Sequence, residues 1–254
     1  MSNNKILLLI LFVLLLQACS PPGSKDEVIN LRKQFEEGMI LFEKGKYYRA
    51  QEEFDFVLRR GTYSEFADSA QFYLAESYFL NKEYIEAITE YDNLVRYKTY
   101  SPFVESSRFR ICQAYEKKSP KYYLDQDYTI SAIDRYQEVI EDYPGSEHVN
   151  KADEAIRKLR SKQAKKIYES GILYTKLDEY QAALTYFKDV VDTYYDTDYT
   201  DNARVKVIEM HIKLGEVDVA REFFQDHKER FKSDKNLLQA DKLIERSDFE
   251  KDKL

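Results

Sequence analysis

Two cysteines and three histidines are all the metal-ligating or strongly nucleophilic side chains this 254-residue sequence offers beyond its carboxylates and hydroxyls. Cys19 and Cys112 are far apart, and His148, His211 and His227 form no HExxH or Cys-His cluster, so no zinc site is spelled by local spacing. None of the seven glycines opens a phosphate-binding loop. The pairs Glu36-Glu37 and Glu52-Glu53 carry the groups for general acid-base work, but they fall on the charged face of amphipathic stretches, where carboxylates are solvated. We therefore assign no catalytic residue, no metal ligand and no diffusible cofactor, and expect no enzyme. With 39 basic and 46 acidic residues the net charge is −7, and no basic face for nucleic acid is evident. Tyrosine is abundant at 22 while tryptophan is absent, which argues against a sugar-stacking platform. The reactive group whose setting carries information is Cys19.

Cys19 follows the apolar run Ile6 to Leu16, which a single Lys5 precedes. Eleven apolar residues are too few to cross a bilayer but suit the core of a secretory signal. Leu16-Gln17-Ala18-Cys19 resembles a bacterial lipobox. The resemblance implies cleavage between Ala18 and Cys19 and a covalent lipid on the Cys19 thiol. Acyl chains contribute about 0.8 kcal/mol per buried CH2, and several together anchor what one cannot. The alternative is ordinary secretory cleavage near Ala18 with Cys19 left as a free thiol. Pro21, Pro22, Gly23 and Ser24 read as a spacer. Acylation of Cys19 would leave Cys112 without a disulfide partner, and it is expected as a buried thiol.

The rest must be the elements that such an anchor carries. "TYSEF" at Thr62 to Phe66 recurs as "TYSPF" at Thr99 to Phe103, an offset of 37 residues that also carries Phe72 onto Phe109 and Tyr78 onto Tyr115. Five alanines, Ala50, Ala87, Ala132, Ala183 and Ala220, are each followed four residues later by Phe54, Tyr91, Tyr136, Phe187 or Phe224. That spacing is one stripe on a helix. Twelve residues before most of these alanines stands a small residue, Gly38, Ala75 or Gly171, with Ile208 as the exception. The pattern predicts antiparallel helix pairs in which a small residue faces the alanine while aromatics fill the surroundings. Such pairs must stack to bury their faces. Cys112 takes the small position of the third pair, whose Ala132 comes late, so "EKKSPKYYLDQDYT" is expected as a long loop. Val149 to Lys176 is predicted as one long helix.

At these intervals the residues resemble the tetratricopeptide repeat family, with Tyr47, Tyr84 and Tyr180 three before the alanine and Pro144 in "EDYPGS" as the terminal proline. The resemblance implies an all-α fold, a right-handed α-solenoid of about five tetratricopeptide-like helix pairs. Five units behind a lipobox, with the long third loop, "AIDRYQEVIEDYPGSEHVNKADEAI" and a long central helix, further resemble the BamD-type outer-membrane lipoproteins of the β-barrel assembly machinery. What that resemblance implies is a lipid-anchored scaffold of the outer membrane, mainly on its periplasmic face, with three kinds of partner. These are a barrel-inserting subunit held through its POTRA region, other lipoproteins of the machinery, and unfolded barrel precursors. Two alternatives share fold and address: a repeat lipoprotein coordinating peptidoglycan or cell constriction, and a nutrient-capture lipoprotein. The expected organisation is a signal peptide over residues 1–18, lipidated Cys19 with a linker over 19–27, repeats one to three over 28–147, the long helix with repeats four and five over 148–232, and a charged tail over 233–254, read as a capping helix followed by disorder.

In this family the first helix of each pair lines the concave side. Counting from the small positions gives a candidate peptide groove of Phe35, Met39, Phe42, Phe72, Glu76, Phe79, Phe109 and Gln113. Apolar side chains of an extended precursor would lie against its rings, and Glu76 and Gln113 would meet backbone N–H groups. The same rings would serve equally as core between repeats. The half after Lys151 is expected to hold the insertase.

Overall fold

A computed structural model describes residues 25–251. The signal peptide, the Ala18/Cys19 cleavage and lipidation site, and residues 252–254 lie outside the described residues. The described chain is all-α: α1 (Lys25–Glu43), α2 (Tyr47–Arg60), α3 (Ala67–Leu80), α4 (Tyr84–Tyr97), α5 (Val104–Lys118), α6 (Asp127–Asp142), α7 (Val149–Lys176), α8 (Tyr180–Thr193), α9 (Thr200–Lys213), α10 (Val217–His227) and α11 (Asp234–Lys251). The predicted long helix is α7, with the predicted ends. None of these helices is long and apolar enough to cross a membrane.

Four pairs are joined by the same tight turn. Its central residue takes a left-handed conformation, at Gly45 (φ 70°), Lys82 (φ 68°), Asp178 (φ 58°) and Gly215 (φ 78°). The next amide donates back to the first helix, Lys46 N to Leu41 O and Glu83 N to Tyr78 O both at 2.9 Å. This is the helix-terminating pattern in which glycine carries no Cβ penalty, so Lys82 and Asp178 sit where glycine fits better.

Packing corrects one expectation. A Cβ built on Gly38 would lie 2.7 Å from Cε1 of Phe54, and one on Gly171 would lie 2.6 Å from Cε1 of Phe187. The small residue thus clears space for the aromatic ring four places beyond the alanine, rather than for the alanine itself. Ala50, Ala87, Ala132, Ala183 and Ala220 are all fully buried beside these rings.

The chain forms two compact units, dividing at Val104/Glu105. In the first, Leu41, Ala50, Phe54, Val57, Ala70 and Leu74 make a core across α1 to α3. In the second, α5 and α6 share a core with the first half of α7 through Phe109, Cys112, Ala132, Tyr136, Ala152 and Leu159. The third pair therefore packs with the long helix after it. The second half of α7 enters another core with α8 and α9 through Ala164, Phe187, Val190, Ala203 and Met210. One 28-residue helix thus serves two cores. The last pair, α9 and α10, is closed by α11, whose Ala240 and Ile244 pack on Ile208 and Phe224. Asp201 Oδ2 accepts the amides of Lys232 and Ser233 at 2.8 Å, and its Oδ1 binds Arg204 at 2.7 Å. These bonds hold the segment that starts α11.

Candidate docking surfaces

A second regularity links helix and loop in the first four repeats. Three residues before the small position stands an aromatic, where the fifth repeat has Val205, and a ring from the loop after the pair packs on it. Phe66 stacks on Phe35 at 5.6 Å between centroids and Phe103 on Phe72 at 4.6 Å. His148 lies parallel to Phe109 at 4.2 Å, and Tyr199 meets Tyr168 at 5.6 Å. The duplicated "TYSEF" and "TYSPF" loops owe their phenylalanines to this latch. His148 and Tyr199 fill the same place without sharing that loop sequence, so the motif by itself did not reveal them.

The latch bears on the candidate groove. Phe35, Met39 and Phe42 are half-buried against the first core, with Phe42 edge-on to Tyr47 and Tyr73. Phe72 is half-buried under Phe103. Phe79 and Phe109 are buried, the former edge-on to Tyr84. Glu76 is only 4% exposed and accepts the hydroxyl of Tyr91 in a short hydrogen bond. In the third pair Tyr136 donates likewise to Glu116 at 2.7 Å. Burial, reinforced by Glu116, pushes the Tyr136 hydroxyl well above its ordinary pKa, so it remains a donor. Gln113 is half-buried and accepts from Arg110 at 3.0 Å. The members of the row that still meet solvent are thus Phe35, Met39, Phe42, Phe72 and Gln113.

The second unit presents a different apolar surface. Tyr186 on α8 stacks on Tyr174 of α7 at 5.2 Å. Leu173 and Leu177 at the end of α7 are more than half exposed, and Val219 on α10 is 44% exposed. Phe224 is buried in the last core. Leu173 and Leu177, four residues apart at the end of one helix, leave large apolar side chains in water, a feature that marks protein-contact surfaces. Salt links set the geometry behind it: Arg160 of α7 binds Asp196, after α8, with Nε and Nη2 at 2.8–3.1 Å.

Cys112 is fully buried, and burial pushes its thiol far above the ordinary range. No group of three His, Cys, Asp or Glu able to hold a metal occurs among the described residues.

Known proteins share features of this chain to differing degrees. It is 28% identical over 232 residues to the outer membrane protein assembly factor BamD of Rickettsia prowazekii (strain Madrid E), covering 88% of this chain and 90% of that one. Among solved structures it is similar to the TPR2AB domain of yeast Sti1 in its pHSP90 complex, at 14% identity and a TM-score of 0.42, covering 86% of this chain and 98% of that one. It is also similar to a tetratricopeptide repeat protein from Parabacteroides merdae ATCC 43184, at 13% identity and a TM-score of 0.38, covering 87% and 88%. The model of the YfiO family, described as outer membrane lipoprotein, matches residues 30–225, and the chain belongs to that family.

Proposed function

We propose that this protein is a lipid-anchored, non-catalytic scaffold of outer-membrane protein assembly, acylated on Cys19 and facing the periplasm. The observation that carries the reading is the family match across residues 30–225, supported by the similarity to an outer membrane protein assembly factor over nearly the whole chain. Its partners are a POTRA-bearing barrel insertase, other lipoproteins of the same machinery, and unfolded barrel precursors. Precursors meet the solvent-facing first-helix positions Phe35, Met39, Phe42 and Phe72 of the first unit and, separately, Gln113 of the second. There apolar side chains find ring edges in a weak and sequence-tolerant contact. The insertase binds the second surface, around the half-buried Tyr174 and Tyr186 and the exposed Leu177 and Val219, whose apolar side chains suit a stable partner.

The test is affinity purification of the full chain from solubilised envelope, combined with photocrosslinkers at Met39, Phe42 and Gln113 and at Leu177, Tyr186 and Val219. Crosslinks to precursors are expected from the first set and to the insertase from the second. Precursor capture only from the second set refutes the division of labour. Purification without any barrel protein refutes the scaffold reading.

A further inference from the structure

The third pair turns through eight residues, Ser119–Gln126, where the other pairs turn in three. Neither the repeat architecture nor the partner surfaces above require that insert. It is nonetheless built as a fixed wall. Gln126, 8% exposed, donates from Nε2 to the carbonyls of Lys121 and Leu124, both at 3.0 Å, and accepts from Thr129 Oγ1 at 2.8 Å. The loop is then tied to α7, where Lys162 Nζ donates to Ser119 Oγ at 2.7 Å and Lys166 Nζ to the Leu124 carbonyl at 3.0 Å. Lys165 Nζ sits 4.4 Å above the Tyr122 ring, and Tyr123 stands edge-on to Tyr122 at 5.4 Å.

Between this wall and α7 lies an open cleft of about 450 Å3, lined by Tyr122, Tyr123, Lys121, Lys158, Lys162, Lys165 and Tyr199. Its charge opposes that of the chain, which is −7 overall. Four lysines contribute to the lining, largely through their apolar stems. The nearest carboxylate, Glu116, is 3.8 Å from Lys158 and already accepts the Tyr136 hydroxyl. Among the described residues no carboxylate is within ion-pair distance of Lys121, Lys162 or Lys165. Burial lowers the pKa of Lys162 despite the attraction of Glu116, and nearby Lys158 adds to the shift.

We infer that this cleft is a docking site for an extended acidic polypeptide segment in which carboxylates alternate with aromatic or bulky aliphatic residues. Lys158, Lys162 and Lys165 recur at i, i+4 and i+7 on α7, a rise of about 6 Å and then about 4.5 Å. Alternate side chains of an extended segment are about 6.7 Å apart and share a face. Carboxylates on one face therefore meet the lysine row, and the intervening apolar side chains point to the Tyr122–Tyr123 wall. A bilayer surface fits less well, because Lys162 is turned inward to Ser119. The site is separate from both surfaces proposed for precursors and insertase, so its failure leaves the scaffold reading standing.

The experiment is fluorescence anisotropy with the full chain in detergent and a labelled Asp-Phe-Asp-Phe-Asp peptide, against Lys-Phe-Lys-Phe-Lys and Asp-Ser-Asp-Ser-Asp. The first should bind best, and its affinity should fall several-fold between about 50 mM and about 300 mM salt. The double variant Lys158→Glu/Lys165→Glu should weaken it by about tenfold or more, and Tyr123→Ser by several-fold. Lys235→Glu/Lys242→Glu on α11 makes the same charge change elsewhere and should stay within about twofold. Equal binding of the basic peptide, or an equal loss in the α11 variant, overturns the proposal. So does binding to phosphatidylglycerol vesicles that depends on Lys158 and Lys165 when peptide binding does not.

Discussion

Replacing Gly171 by alanine isolates the contact on which each repeat turns. Helix propensity alone favours the change by about 0.8–1 kcal/mol. Against this, the added Cβ would lie 2.6 Å from Cε1, 2.8 Å from Cζ and 2.9 Å from Cδ1 of Phe187. Comfortable carbon contacts begin near ~3.5 Å, so the ring must retreat by about 0.6–0.9 Å. Phe187 has no exposed surface, and Tyr168 packs on it at 5.4 Å, so the displacement is passed into the core of α7, α8 and α9. Overpacking with no free side to yield lies in the upper part of its usual range, about 2–3 kcal/mol. The net expectation is a loss of about 1–2 kcal/mol, read as a lower urea midpoint at unchanged slope in the far-UV helix signal. Gly145→Ala, whose Cβ meets open space, should change stability by no more than about 0.5 kcal/mol. Because the clash is specific to the ring, Gly171→Ala combined with Phe187→Leu should lose about 1 kcal/mol less than the sum of the single changes. Wild-type stability in Gly171→Ala, or strict additivity with Phe187→Leu, would refute the reasoning.

Four further outcomes are expected. Lys82→Gly relieves a left-handed lysine and should raise stability by about 0.5–1 kcal/mol, so an unchanged or lower melting temperature would count against the turn analysis. Burial pushes the Asp196 carboxyl up, but hydrogen bonds from Arg160 outweigh it and hold the group below its ordinary range. A depressed carboxylate contributes stability above its unfolded pKa of about 3.9 and loses it as pH falls through the lower folded value, so Asp196→Asn should cost about 1 kcal/mol at pH 7 and begin to converge with wild type only as pH drops below about 4. Cys112, buried with its thiol pushed up, should resist alkylation at neutral pH until denaturant opens the second unit, and rapid labelling of the native protein would contradict that burial. Cys19→Ala should block lipoprotein processing and release the folded chain from the membrane. Retention of this variant on membranes washed with high salt would overturn the lipid anchor.

What local sequence determines here is what local physics can decide. The alanine-aromatic stripes, the late Ala132 and the unbroken run from Val149 to Lys176 specify helix faces, an insert and a long helix, because each depends on residues within a few turns of one another. The lipobox resemblance at Cys19 is local in the same way, resting on the four residues that end on it. Only tertiary structure assigns each ring its partner. Gly171 clears space for Phe187, His148 lies on Phe109, Tyr91 donates to a buried Glu76, and α7 is shared between two cores. These contacts join residues 15 to 39 positions apart, and several chemically different side chains fill equivalent places, so no spacing rule distinguishes a ring that binds from a ring that packs. The candidate groove was legible as a row of first-helix positions. How much of that row reaches solvent was decided by the loop aromatics folding back onto Phe35, Phe72 and Phe109. The lysines of α7 read in sequence as an ordinary solvated face. They become a cationic wall because the Ser119–Gln126 insert closes over them, held by the buried amide of Gln126.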